Sequence, residues 1–321
     1  MKKVIGNLLF VIFCIIVFFV VALISGRASF YHTLAKSRAA YQVEWNDEVG
    51  TIYRNLAENK EMQTGYDLYI PAEKSADNKY SLILYIHGGG FTSGDKTDSD
   101  AEMLCKYYTS KGYVCASVNY TLADKEHDSN INLMYDEICE QVKSIKEESE
   151  KLGYELTEMA TTGDSAGGCL ALLYAYRNPK ESPIPIKLVF EMCGPATFEP
   201  AKWGLDTDRQ KAEFITSFSG TTVNEAELEA QETKNILKQI SPAMLVDENT
   251  VPTVFAYGIN DKIVPVNLKY ELINALKNAK VDYTYIEFPH SGHAMAFDPN
   301  LTEEYLDKVD EYLKKYMENE K

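Results

Sequence analysis

The feature that most limits what this chain can fold into is its alternation of short apolar runs with segments of helical length. The runs are Tyr66 to Ile70, Ser81 to Ile86, Tyr113 to Val118, a short one from about Glu158, Ile186 to Met192, Pro252 to Tyr257 and Tyr283 to Phe288. Helical patterns lie between and after them, at Ala101 to Lys111, Ile131 to Leu152, Ala166 to Arg177, Asn267 to Ala279 and Thr302 to Met317. Strands that alternate with helices of this length predict an α/β fold, a doubly wound and mostly parallel sheet covered on both faces. Ligands of such sheets bind beyond the carboxyl ends of the strands, so the loops that follow the apolar runs are where chemistry is sought.

A formal net charge of −16 with no basic stripe would repel a phosphate backbone, which excludes nucleic acid as an expected partner. Runs such as Glu147-Glu148-Ser149-Glu150 read as solvated helix faces. The six cysteines have neither metal-ligand spacing nor the density of a disulfide scaffold. Cys14 falls in the apolar N-terminal run, so at least one of the other five is unpaired, and only geometry can decide whether Cys105 and Cys115 pair.

After Met1-Lys2-Lys3 the chain carries no charge from Val4 to Ile24, a helix of roughly 30 Å and long enough to cross a bilayer. Residues 1–27 are therefore expected to be a transmembrane anchor, or a cleaved signal sequence that would leave a secreted protein. Lys2 and Lys3 stand against Arg27, Lys36 and Arg38, a near balance that leans toward a single-pass cell-membrane protein with its globular part extracytoplasmic. Residues 28–62 read as a helical connector, and residues 63–321 as the α/β domain.

Within that domain, Gly163-Asp164-Ser165-Ala166-Gly167-Gly168 joins a predicted strand to a predicted helix and satisfies Gly-x-Ser-x-Gly in the context where that motif exposes a nucleophilic serine. Glycines two positions either side are needed because neighbouring backbones come too close for side chains. His87-Gly88-Gly89-Gly90 follows another apolar strand, where backbone amides can point at a developing oxyanion. The rival reading of the second segment is a phosphate loop, but Asp95 interrupts the Gly94 to Lys96 junction and would repel phosphate.

These two motifs, in this order and about this far apart, resemble the hormone-sensitive-lipase-like carboxylesterases of the α/β-hydrolase superfamily, with matching features from about Tyr66 to His293. Gly112 to Tyr120 is similar to that family's third strand, whereas Tyr120-Thr121-Leu122-Ala123-Asp124 lacks the Arg and Pro-Glu usual there. The resemblance implies the α/β-hydrolase fold, Ser165 as nucleophile, and the amides of Gly89, Gly90 and Ala166 as the oxyanion hole.

A serine hydroxyl needs a histidine to take its proton and a carboxylate to orient that histidine, and in this fold both follow the serine in the chain. Asp261 follows the strand ending at Tyr257 and resembles the family's acid loop. His32, His87 and His127 precede the serine; of the two that follow it, His293 after Gly292 matches the family's base better than His290. His290 and His293 read as half of a metal site would lack a third ligand nearby.

Between Cys193 and Pro252 lies a connection far longer than usual, expected to be a helical cap insertion at about 194–245. Phe198, Trp203, Phe214 and Phe218 give it an apolar side, and Glu225 to Gln239 reads as a charged helix. The expected function is hydrolysis of small-molecule carboxylic esters through an acyl-enzyme, with neither metal nor organic cofactor. The alternatives are an amidase or peptidase using the same triad and a non-catalytic binding protein on a hydrolase scaffold.

Overall fold

The computed structural model describes residues 2–75 and 78–317. A helix, α1 (Lys2–Ala39), leads into eight strands and seven further helices: β1 (Gly50–Asn59), β2 (Thr64–Pro71), β3 (Lys79–Ile86), α2 (Ser99–Ser110), β4 (Val114–Asn119), α3 (Ile131–Lys151), β5 (Glu155–Asp164), α4 (Ala166–Tyr176), β6 (Ile186–Met192), α5 (Asp208–Ser219), α6 (Gln231–Ile240), β7 (Thr253–Gly258), α7 (Leu268–Ala279), β8 (Tyr283–Phe288) and α8 (Pro299–Tyr316). The strands form one sheet in the order β1-β2-β4-β3-β5-β6-β7-β8. Only β2 runs against its neighbours β1 and β4; every other pairing is parallel, as the alternating pattern predicts.

The N-terminal elements are not helical throughout. α1 passes through position 27 without a break, and the helical reading of residues 28–62 fails beyond Ala39, because residues 50–59 form an edge strand. That strand lacks period-two alternation for a physical reason: most of it is exposed, its pairing with β2 shifts register twice, and Asn55 and Ala57 have φ of 56° and 49°. The first strand of the sheet thus begins at Gly50, inside the segment read as a connector.

Parallel register brings the strand ends to one edge, with Ile86 opposite Gly163, Asp164 opposite Met192 and Gly258 opposite Phe288. One face of the sheet packs on α3, α4 and α7, the other on α2 and α8. α4 is apolar all round and every residue of it is buried, which is why it sits at the centre of its layer. The five described cysteines, Cys105 and Cys115 among them, are unpaired.

The long insertion after β6 holds α5, α6 and short 3₁₀ turns. The expected helix from Glu225 to Gln239 is split, since Asn224 and Glu227 close a local turn and α6 starts only at Gln231. Phe198 is fully buried and stacks among Trp203, Phe214 and Phe218, and this cluster meets Phe91 just beyond the glycine run.

At the crossing of β3 and α4 the backbones touch: a Cβ at Gly167 would lie 2.0 Å from the Ile86 carbonyl oxygen, and one at Gly163 would lie 2.5 Å from it. Gly167→Ala should therefore cost at least about 2 kcal/mol by overpacking. Chemical denaturation of the two proteins measures this, and an unchanged midpoint would contradict the close crossing.

Candidate active site

Ser165 stands at the turn between β5 and α4 with φ of 54° and ψ of −122°, a strained conformation for a residue with a side chain. The strain is held from several sides. Its amide donates to the Met192 carbonyl at 2.8 Å, its carbonyl accepts from Cys169, and α4 runs into the core behind it. The hydroxyl is thereby aimed along the sheet edge, at the N-terminus of a buried helix that favours negative charge.

Asp261 lies in the loop after β7, its side chain fully buried. Its Oδ1 accepts from the amides of Ile263 and Val264 at 2.8 and 3.0 Å, leaving Oδ2 for the Nδ1 of His293 at 2.7 Å. On the other side of the ring, His293 Nε2 is 2.8 Å from Ser165 Oγ. The two loops that meet here dock backbone to backbone, with the Asn260 amide donating to the Ser291 carbonyl. The structure thus brings Ser165, His293 and Asp261 into one hydrogen-bonded line. It does not bring His290 there: that ring is exposed and bonds to Asp298, which also accepts from the Ser291 hydroxyl.

Gly89 and Gly90 follow β3 with φ of 112° and 63°, and a Cβ at Gly89 would fall 2.0 Å from the Ser93 carbonyl oxygen. Among the described residues the amides of Gly89, Gly90 and Ala166 have no acceptor, while the Gly89 carbonyl accepts from Thr92 and Ser93 and pins the turn. His87, at the start of this loop, is buried. Its ring stacks on Tyr120 at 4.3 Å, and burial lowers its pKa, which keeps it neutral. Lys96, the lysine of the discarded phosphate-loop reading, is buried 2.7 Å from Asn55 Oδ1 and 3.2 Å from the carboxylate of Asp67.

Two features beside the line were not anticipated. Cys193 lies close enough for its Sγ to contact the His293 carbonyl at 3.5 Å; its thiol, His293 and Asp261 present ligand atoms within 4.8 Å of one another. A metal there would compete for the nitrogen or carboxylate already used in the hydrogen-bond line. Asp164, next to the serine, accepts from the Tyr85 hydroxyl at 2.6 Å, yet burial raises its carboxyl pKa above the ordinary 3.8. A carboxyl raised in this way adds stability below its unfolded pKa and loses it as pH rises through the folded value. Asp164→Asn, always neutral, should match the parent in melting temperature near pH 4 and exceed it increasingly toward pH 7. A difference that does not change with pH would show that Asp164 carries no such penalty.

Comparison with known proteins follows the same outline. Residues 66–276 match the BD-FAE family model. Arylacetamide deacetylase of Oryctolagus cuniculus is 30% identical over 154 residues, 46% of this chain and 37% of that protein; esterase LipC of Mycobacterium tuberculosis is 20% identical over 222 residues, 66% of this chain and 52% of that protein. The chain thus spans about a third to a half of the length of these curated relatives. Among solved structures, a truncated carbohydrate esterase from gut microbiota superposes with a TM-score of 0.67 at 17% identity, covering 85% of this chain and 99% of that one. Esterase B from Lactobacillus rhamnosis superposes with a TM-score of 0.64 at 21% identity, covering 91% and 97%. With the family model matched across most of the sheet and the same fold in these esterases, the chain belongs to the BD-FAE family, within the hormone-sensitive-lipase-like α/β-hydrolases.

Proposed function

We propose that this protein hydrolyses carboxylic esters of small molecules through an acyl-enzyme on Ser165. The observation that carries the reading is the unbroken hydrogen-bond line from Asp261 through His293 to Ser165. In this mechanism the Ser165 Oγ attacks the ester carbonyl carbon while His293 Nε2 takes its proton, and Asp261 holds the Nδ1–H and stabilises the imidazolium. The oxyanion accepts from the Gly89, Gly90 and Ala166 amides, and each such donor is worth about 3 to 4 kcal/mol in the transition state. His293 then protonates the departing alcohol, and water, activated by the same ring, releases the acid. The aromatic insertion leaning on Phe91 serves as a lid over the oxyanion loop.

Amide hydrolysis is the second reading, favoured by the similarity to proteins named arylacetamide deacetylase. The same steps serve an amide, so matched ester and amide substrates with one acyl group separate the two.

α1 is read as a single-pass anchor with the domain on the extracytoplasmic side, or as a signal sequence where it is cleaved. α1 is long and apolar enough to cross a membrane by length and composition, and Ile15 to Ile24 presents bare apolar side chains, Phe18 being 68% exposed.

Ser165→Ala should reduce turnover of p-nitrophenyl butyrate by roughly a thousandfold or more without altering the circular dichroism spectrum. Retained esterase activity would refute the nucleophile. On expression, the full chain should remain in the membrane pellet after alkaline carbonate extraction, and recovery in the soluble fraction at full length would contradict anchoring.

A further inference from the structure

The helix that leads to the membrane does not stop at anchoring. Its last turns lie against the hydrolase domain, where Phe30 makes a ring contact with Phe297 at 5.5 Å, in the loop that carries His293. Arg38 pairs with Asp100 of α2 at 2.7 Å, so the helix is joined to a second element as well. Between these contacts is a cavity of about 340 Å³. Leu34, Ser37 and Arg38 of α1, Phe190 and Met192 of β6, and His293 are among the residues that line it.

Three observations bear on its occupant. Its surface is predominantly carbon, which favours an apolar group. Its volume lies at the lower end of small-molecule sites, enough for a chain of moderate length or a single ring and too small for a whole lipid. His293 lines the cavity and its Nε2 lies 2.8 Å from Ser165 Oγ, so the cavity and the serine meet at this one residue.

We propose that this cavity seats the apolar acyl or alkyl group of the ester, and that α1 is a wall of the substrate site, so that the membrane helix itself sets chain-length preference. The proposal rests on the esterase reading above. It assigns Leu34 a specificity role: its half-buried side chain is the apolar one that α1 contributes to the wall. A bulkier residue there shortens the space, and a smaller one extends it toward the outer face of the helix.

The test uses the full chain in detergent micelles and two substrate series, p-nitrophenyl esters from acetate to octanoate and acetate esters from ethanol to octanol. In the series whose chain enters the cavity, wild-type kcat/KM should rise up to roughly fourfold per methylene, the equivalent of about 0.8 kcal/mol. Leu34→Trp should lower the ratio of longest to shortest substrate in that series by at least about tenfold, and Leu34→Ala should shift the optimum to longer chains. A response in the first series identifies the acyl group, and one in the second the alcohol. Leu34→Ala, whose circular dichroism spectrum should match wild type, carries the test if the Trp variant does not fold. Wild-type length profiles in Leu34→Ala, or no rise with chain length in either wild-type series, would overturn the proposal. Failure of the esterase reading looks different: the wild-type chain would neither hydrolyse acetate esters nor label at Ser165.

Discussion

Backbone against backbone, where the end of β3 passes the start of α4, is the contact on which the rest of the site depends. No side chain fits at Gly167 or Gly163, so the two segments approach to the limit of van der Waals contact and the glycine run after β3 is held beside the turn after β5. The strained dihedrals of Ser165 are affordable only because the wholly buried α4 and the Met192 carbonyl hold both sides of the turn. Parallel register then carries the same alignment across β6, β7 and β8, which delivers the Asp261 and His293 loops to that edge.

Electrostatics around the serine are arranged by burial more than by paired charge. Asp261 has two backbone amides on one oxygen and the His293 ring on the other, so its buried carboxylate is satisfied. Asp164 and Glu191, also buried nearby, are pushed toward their neutral forms.

How much of this could be read from the sequence depended on whether a signal was local. Gly163 to Gly168 and His87 to Gly90 are legible because each is a compact motif placed just after an apolar strand, although the crowding that demands glycine at Gly163 and Gly167 comes from Ile86 on another strand, and Asp261 and His293 because each follows a strand of clear apolar pattern. The register that brings these four segments together is a tertiary fact, but the alternation of strands and helices implies it. β1 was not legible, since an exposed, bulged edge strand loses the alternation that marks a strand. The contribution of α1 was hidden for another reason. Leu34, Ser37 and Arg38 acquire meaning only through what they pack near, and nothing in their spacing reports a cavity that they share with His293. The same holds for Cys193 and for the aromatic meeting of Phe91 with the insertion.

The central claim is that Ser165 carries the acyl group. Rapid acid quenching of the protein with a p-nitrophenyl ester, followed by peptide mass mapping, tests it most directly. The account predicts a nitrophenolate burst of about one equivalent and the acyl mass on the peptide containing Ser165, both absent in His293→Ala. An acyl mass on another residue, or steady turnover in chains that carry no modification at Ser165 at any time, would contradict it.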